Sequence, residues 1–351
     1  MQLKAGLGND ALQGRYINLR REKKLYRYVD CIDSGTEFCP CVLAEKGECI
    51  ICSQLHGKCF CNCLNWKGIC IYQEFMWNNQ KCKKTRQYHS YVIEDKQYLR
   101  EDILQLDIKV SKYLARELNN FGAFVFLKTP GDPDSFSTPI SVMLSDTVRN
   151  IIRVVIKIYG VKTKALCKCE RDIMVKGPYW NGIQGQRFLS SIKNSNVLII
   201  ARGVAAAPGV MAAKKLVKKG NQVYVLLDRG RSTHNFSKKY YEALGCIVQD
   251  TSLCDRSGNF TASGERDIKS LVEKLPFKTV LCAGSDDFYE KTISLIYKVD
   301  NSMKFATVNN STMCCGEGIC GSCIMEGSRN KHIRSCKQQY NPMEIFLKEE
   351  E

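Results

Sequence analysis

Apolar residues along this chain change their rhythm partway through. From residue 88 to about 158 they come in short β-branched or aromatic runs, at 103–110, 123–127 and 151–158, with Pro/Gly/Asp turns such as 129–134 between them. Runs of that length, punctuated by turn residues, predict antiparallel strands in a barrel or sandwich. From Asn196 short apolar runs alternate with longer helical patterns. Strands are predicted at 197–201, 222–227, 246–249 and 279–283, and helices at 208–219, 237–244, 267–274 and 287–298. Strands alternating with helices predict a parallel, doubly wound sheet. The most apolar stretch, 196–213, is interrupted by Arg202 and Pro208, so it predicts strand, turn and helix rather than a membrane span. Residues 1–30 are polar and basic and carry no assignable pattern.

Composition changes the picture at the two ends. The 351 residues leave room for two or three cores, and 44% hydrophobic with 25% charged residues is the balance of a soluble globular protein. The N-terminus lacks the continuous apolar run of a signal peptide, so the expected location is cytoplasmic. In a reducing compartment the 20 cysteines point to metal rather than to disulfides. Ten lie between Cys31 and Cys82, five between Cys314 and Cys336, and five in the long middle, which is not the distribution of core-filling thiols. Net charge is +16, but the basic residues are spread out and do not alternate with aromatics. Nucleic acid and membrane are therefore not expected partners, and the charge fits an acidic protein partner or a solvated lysine-rich surface.

The sharpest chemical signal is Cys315-Gly-Glu-Gly-Ile-Cys320-Gly-Ser-Cys323, followed by Cys336. Cys-x4-Cys-x2-Cys with a distant fourth cysteine is the spacing of plant-type [2Fe–2S] ligation. Gly316, Gly318 and Gly321 allow the backbone to approach a small cluster closely. Structural zinc is the alternative, but it usually takes two short Cys pairs. Cys314 is out of register and reads as a spare.

With these motifs the chain resembles the electron-transfer subunits of class-B dihydroorotate dehydrogenase. It likewise resembles the small subunits of sulfide dehydrogenase and of NADH-dependent ferredoxin:NADP oxidoreductase. The resemblance runs from about Tyr88 to Cys336 and implies a ferredoxin-reductase-like order: an FAD barrel, a nicotinamide-binding domain, then a [2Fe–2S] loop. The family's flavin strand reads Arg-Pro-x-Ser; here it is Thr138-Pro139-Ile140-Ser141, with Thr in place of the phosphate-gripping Arg. The resemblance places Val155, Ile156 and Lys157 along the flavin, with Lys157 as a substitute phosphate ligand, and matches Gly160 and Thr163 to Gly-x-Gly-Thr. Gly177–Gly182 resembles the segment that closes the barrel domain.

The dinucleotide turn is read from a buried strand running into small residues and a helix. It resembles Gly-Gly-Gly-Ile-Gly-x-Ala-Pro at Gly203, Val204, Ala207 and Pro208, with Ala201, Arg202 and Ala205 replacing glycines. Asp228 ends the second strand, where an acid would bind the adenosine ribose of NAD, whereas Arg229 and Arg231 would suit the extra phosphate of NADP. Gly284 stands near the family's nicotinamide motif, and Cys282 is one position out of register with its cysteine.

No such resemblance covers the N-terminal cysteines. Cys39, Cys41, Cys49, Cys52, Cys59, Cys61, Cys63 and Cys70 form several chelating pairs that suit iron–sulfur or zinc. Gly and Asn between them predict little regular structure. The expected organisation is a Cys-rich metal-binding segment (1–88), an FAD-binding β-barrel (89–184), a nicotinamide-dinucleotide-binding domain (185–310) and a [2Fe–2S]-binding segment (311–351). The class is α+β and α/β multidomain. The expected function is electron transfer between NAD(P)H, FAD and a [2Fe–2S] cluster, to or from a separate flavoprotein or ferredoxin-like redox protein, with a second metal centre possible at the N-terminus. No side chain is assigned a catalytic role. Two alternatives stand beside it: a self-contained NAD(P)H reductase, and a zinc-stabilised basic binding protein.

Overall fold

The computed structural model describes residues 30–61, 68–228, 235–255, 257–327 and 331–347. Strand β1 (Asp30–Cys31) is followed by the Cys-rich segment, which contains the short helices Val42–Glu45 and Ile71–Trp77. This is more regular than its Gly and Asn content predicts, because Ala44, Cys52, Leu55 and Phe75 give the segment a small apolar core of its own.

Antiparallel strands β2 (Tyr88–Arg100), β3 (Ile103–Lys109), β4 (Phe124–Lys128), β5 (Thr138–Asp146), β6 (Ile151–Lys157) and β7 (Asp172–Tyr179) close a barrel in the order β2-β3-β6-β5-β4-β7. Leu104, Leu106 and Ile108 on β3 and Ile152, Val154 and Ile156 on β6 fill its interior at the two-residue period of a strand. The intervening Gln105, Asp107 and Arg153 meet the next domain. Arg153 Nε donates to Asp107 Oδ1 at 2.6 Å, its Nη1 donates to the Tyr240 hydroxyl at 3.1 Å, and that hydroxyl donates to Gln105 Oε1 at 2.9 Å.

The second sheet contains β8 (Ile183–Gln184), β9 (Asn196–Arg202), β10 (Gln222–Asp228), β11 (Ile247–Thr251), β12 (Phe277–Ala283) and β13 (Lys304–Val308), in the order β11-β10-β9-β12-β13-β8. All neighbours are parallel except β8 and β13, so the predicted doubly wound sheet is present and its order reverses between β9 and β12. Helix Ala206–Lys218 is sandwiched between the two domains: Met211 joins the barrel core and Val210, Ala213 and Leu216 join that of the sheet. Its Gly209 is dictated by close approach, since a Cβ there would stand 2.3 Å from the Tyr241 hydroxyl. No helix among the described residues is long and apolar enough to cross a membrane.

The C-terminal segment adds the hairpin β14 (Ile324–Gly327) and β15 (Lys331–Arg334), then β16 (Gln338–Gln339), which pairs antiparallel with β1. The two cysteine-rich ends therefore meet, and a buried ion network fastens them. Arg86, Asp33 and Lys337 side chains are 1%, 3% and 1% exposed. Arg86 Nη2 donates to Asp33 Oδ1 at 2.8 Å and its Nη1 reaches Glu317 Oε2 at 3.2 Å. Lys337 Nζ donates to Asp33 and, at 2.7 Å, to Glu317 Oε2. The guanidinium also lies 3.8 Å from the Phe38 ring centre and 4.4 Å from that of Tyr179. Two cations and two carboxylates thus answer one another where neither could be buried alone. Beside them Asn181, wholly buried, donates to the Ser335 and Gln338 carbonyls and accepts from Gln339 Nε2 at 2.6 Å.

Burial pushes the Asp33 carboxyl up, but Lys337 and Arg86 more than offset it and hold the group below its usual range. A carboxyl depressed in the folded state contributes stability above its unfolded pKa of about 4, and that contribution is lost as pH falls through the lower folded value. Asp33→Asn should therefore flatten the acid limb of the stability–pH curve. Arg86→Ala, which strips a partner from a buried pair, should cost about 3–5 kcal/mol in urea unfolding at neutral pH. An unchanged unfolding midpoint for Arg86→Ala would show that the network does not fasten the two ends.

Candidate cofactor and metal sites

Cys315, Cys320 and Cys323 lie on the loop between β13 and β14, and Cys336 follows β15. Gly316, Gly318 and Gly321 all have positive φ, from 70° to 78°, where a side chain is strained. At Gly316 a Cβ would stand 2.6 Å from the Tyr179 ring and 2.8 Å from that of Phe126, so the loop backbone rests directly on the barrel's aromatic face. Phe124, Phe126, Tyr179 and Met313 pack there with Cys323 and Cys336.

The four thiols arrive as two pairs. Cys323 and Cys336 sulfurs share a hydrogen bond at 3.2 Å, and Cys320 is hydrogen-bonded to Cys315. The Cys336 contact, against the effect of burial, lowers the Cys323 thiol to about 6, while Cys336 retains the shared proton and is raised. Burial pushes Cys320 up, yet hydrogen bonds from Ser322 and Cys315 bring it down to about 7. Among the described residues no three Cys, His, Asp or Glu side chains already meet at one coordination point. Four thiols of which Cys320 and Cys323 are lowered, on a backbone that glycine brings close, suit the two irons of a [2Fe–2S] group. Cys314 is exposed.

Thr138, Pro139, Ile140 and Ser141 open β5 and are half-buried. The register sets Ser141 opposite Phe124 and Pro139 opposite Phe126, so this segment is the immediate neighbour of the strand under the cysteine loop. Val155 and Ile156 are buried on β6, and Lys157 is exposed at its end. Gly160 and Thr163 start the short helix Val161–Leu166, where Thr163 Oγ1 accepts from the Tyr159 and Gly160 N–H groups at 2.9 and 3.1 Å. A cavity of about 710 Å³ opens between this helix and the β4–β5 loop, lined by Thr129, Pro130, Phe136, Val161, Lys164 and Lys168. Cations that the motif comparison did not single out flank the start of β5. Lys128 and Lys176 lie 4.6 and 5.0 Å from the ring centre of Tyr88, whose hydroxyl bonds to Ser137. Burial pushes the Lys176 ammonium down.

Gly203, with φ of 60°, and Val204 form a turn after β9, and Ala207 and Pro208 are buried in the first turn of helix Ala206–Lys218. Gly284 follows β12, and because Ala283 pairs with Ala201 it faces the same crevice, at the point where strand order reverses. Arg202 and Asp228 depart from the simple picture. Asp228 is 1% exposed, and it is ion-paired with Arg202 Nε at 3.0 Å and accepts from the Leu253 N–H at 3.3 Å. Arg202 Nη2 also donates to the Asp255 carbonyl at 3.3 Å. The arginine that stands at a family glycine thus reaches across the strand ends and holds the acid expected to face a ribose. Arg229 and Arg231 lie outside the described residues.

Of the N-terminal thiols, Cys39, Cys41, Cys49 and Cys70 are half-buried, Cys52 is buried, and Cys59 and Cys61 are exposed. Cys63 lies outside the described residues.

No family model matches the chain. It is 24% identical over 216 residues to a probable dihydroorotate dehydrogenase B (NAD(+)) electron transfer subunit of Archaeoglobus fulgidus, covering 61% of this chain and 84% of that protein. To the dihydroorotate dehydrogenase B (NAD(+)) electron transfer subunit of Enterococcus faecalis it is 23% identical over 226 residues, 63% of this chain and 82% of the relative. Among solved structures, an NADH-dependent reduced ferredoxin-NADP oxidoreductase superposes with a TM-score of 0.60 at 22% identity, over 72% of this chain and 88% of that one. Barrel and doubly wound sheet give the chain a ferredoxin-reductase-like fold, and in sequence it is similar to the electron-transfer subunits of dihydroorotate dehydrogenase B.

Proposed function

We propose that this chain is an iron–sulfur flavoprotein that passes electrons between NAD(P)H, FAD and a [2Fe–2S] cluster, to or from a partner redox protein. The observation that carries this reading is a juxtaposition on one barrel face. The segment matching the flavin strand, Thr138–Ser141, pairs with Phe124–Leu127, and Phe126 with Tyr179 supports the glycine of the cysteine loop. A flavin supplies the conversion between the two-electron chemistry of a nicotinamide and the one-electron chemistry of a cluster. What the protein does is hold the groups in order.

The residues divide that task. Cys315, Cys320, Cys323 and Cys336 would ligate the irons, and Gly316 would let their loop sit against the barrel. Pro139 and Ser141, on the same side of the sheet as Phe126 and Phe124, would face the flavin ring, with Val155 contributing from β6, while Ile156 fills the barrel interior behind that strand. Lys128 and Lys176 supply positive charge near the start of β5, where Thr138 replaces the family arginine. The cavity beside helix Val161–Leu166, edged by Lys164 and Lys168 as well as Asp132 and Asp172, would take the far end of the flavin nucleotide. Gly203, Val204, Ala207, Pro208 and Gly284 line the crevice for the nicotinamide nucleotide. The partner is a separate flavoprotein or ferredoxin-like protein, and the cytoplasm is where a thiol-rich centre of this kind persists.

Hydride transfer needs only nicotinamide and flavin in contact, whereas export needs the one-electron relay. Cys323→Ser should therefore still bleach its flavin on mixing with NADH and lose delivery to the partner. Stopped-flow traces of the two steps check this, and equal loss of both would mean that the loop supports the fold rather than the relay. The Arg202–Asp228 pair gives a second test. Asp228→Asn removes the charge that holds Arg202, freeing a guanidinium for phosphate. The ratio of NADH to NADPH dissociation constants should shift toward NADPH by about tenfold, ~1.4 kcal/mol. A shift in the opposite direction would show that Arg202 does not read the nucleotide.

A further inference from the structure

We propose that Asn309 and Asn310 are positioning residues that tie the nicotinamide end of the crevice to the cysteine loop. Asn310 does so by holding Gly284, and Asn309 by holding the peptide that precedes Cys336. The inference rests on the electron-transfer reading above and deepens it. These two residues lead from β13 into the cysteine loop, and no motif in the sequence marks them. Their side chains carry the same amide group to two different places.

Asn310 fixes the crevice side. Its Nδ2 donates to the Gly284 carbonyl at 2.6 Å, and it also reaches the Tyr289 hydroxyl at 3.1 Å and Asp286 Oδ1 at 3.2 Å. With a carbonyl and a carboxylate as partners, the side chain must turn its NH2 group, not its oxygen, toward the turn. Tyr289, wholly buried, takes the other half of the glycine. Its hydroxyl accepts from the Gly284 N–H at 3.2 Å and donates to the Val308 carbonyl at 2.9 Å. Both backbone groups of Gly284 are therefore held, and a Cβ there would stand 2.5 Å from the Phe288 ring. The turn after β12 is thus set by the end of β13.

Asn309 fixes the loop side. Its N–H donates to the Gly182 carbonyl at 2.9 Å, and its Oδ1 accepts from the Ser311 N–H at 3.1 Å. Its Nδ2 donates to the Asn181 and Ser335 carbonyls at 2.9 and 2.8 Å. The Ser335 carbonyl also receives Asn181 Nδ2 and, at 3.0 Å, Gln184 Nε2, so three side-chain amides converge on an oxygen with two lone pairs. Ser335 in turn directs its N–H, at 3.1 Å, and its hydroxyl, at 2.9 Å, onto the Cys323 carbonyl. One wholly buried residue thereby locks the backbone of Cys323 to that of Cys336, the pair whose sulfurs are in contact. Because Asn309 and Asn310 are consecutive, with Cα atoms ~3.8 Å apart, the crevice turn and this cysteine pair cannot drift apart. A misplacement of about 1 Å between reacting groups can cost ~100-fold in rate, and such a tie prevents it.

The test titrates the full-length holoprotein with NAD+ and, separately, with ADP-ribose, the same nucleotide without its nicotinamide. Asn310→Ala should weaken NAD+ about tenfold, the loss of one well-placed hydrogen bond, and leave ADP-ribose binding unchanged. Its reduced-cluster paramagnetic resonance spectrum should match the wild type. The isosteric Asn310→Asp sets a carboxylate against the Gly284 carbonyl and Asp286, so it should weaken NAD+ at least as much, whereas a packing role would leave binding unchanged. Asn309→Ala should weaken NAD+ and also alter the cluster spectrum. Equal loss of NAD+ and ADP-ribose in Asn310→Ala, unchanged NAD+ binding in Asn310→Asp, or an unaltered cluster spectrum in Asn309→Ala would each overturn the inference and leave the electron-transfer reading standing. Wild-type protein that binds neither NAD+ nor NADP+, or that carries no cluster, would overturn both.

Discussion

Three buried charges and the half-buried Glu317 hold this molecule together where its chemistry is concentrated. Asp33 comes from the N-terminal segment, Arg86 from the entry to the barrel, and Glu317 and Lys337 from the cysteine loop. Asp33, Arg86 and Lys337 would each be prohibitively costly to bury alone, and they come from the three segments, so none of these can leave without stranding a charge. Arg86 also fills the space between Phe38 and Tyr179. The two ends of the chain are thereby made one structural unit, although more than two hundred residues of barrel and sheet intervene.

That constraint fixes the order of the sites. With the loop pinned to β4 and β7, the Thr138–Ser141 segment of β5 becomes its next neighbour, because β5 and β4 are paired in the barrel. On the other side, helix Ala206–Lys218 and the Gln105/Asp107/Arg153/Tyr240 cluster fix the dinucleotide domain against the barrel. The crevice where strand order reverses, the Thr138–Ser141 strand and the cysteine loop then follow one another along a single body. Electron transfer asks little more of a protein than such an arrangement.

The sequence made the fold legible where periodicity was strong. β3 and β6 are short, largely β-branched apolar runs between turn residues, and β9 and the latter half of β12, from Val280, are apolar runs set between helical patterns, so barrel and parallel sheet were both predictable. The C-terminal thiols were readable because four cysteines and three glycines are local and closely spaced. What stayed hidden was non-local. Nothing around Asp33 or Arg86 announces a partner some three hundred or fifty residues away, and an isolated lysine after Cys336 reads as surface. Asp228 illustrates the same limit: its place at a strand end is visible, whereas its capture by Arg202 depends on side-chain geometry at the crevice. The N-terminal segment was expected to be irregular from its Gly and Asn. Its apolar residues, too sparse to show a period, still collect into a small core around Phe75.

The most direct test of the account is an anaerobic titration of the intact protein with NADH, followed by visible absorption and by paramagnetic resonance on the same samples. The account predicts that flavin absorbance bleaches and that a rhombic one-electron signal of a reduced [2Fe–2S] cluster then grows in, without any partner present. A colourless protein carrying only zinc would contradict it, and so would a flavin that bleaches with no cluster signal at any stage of reduction.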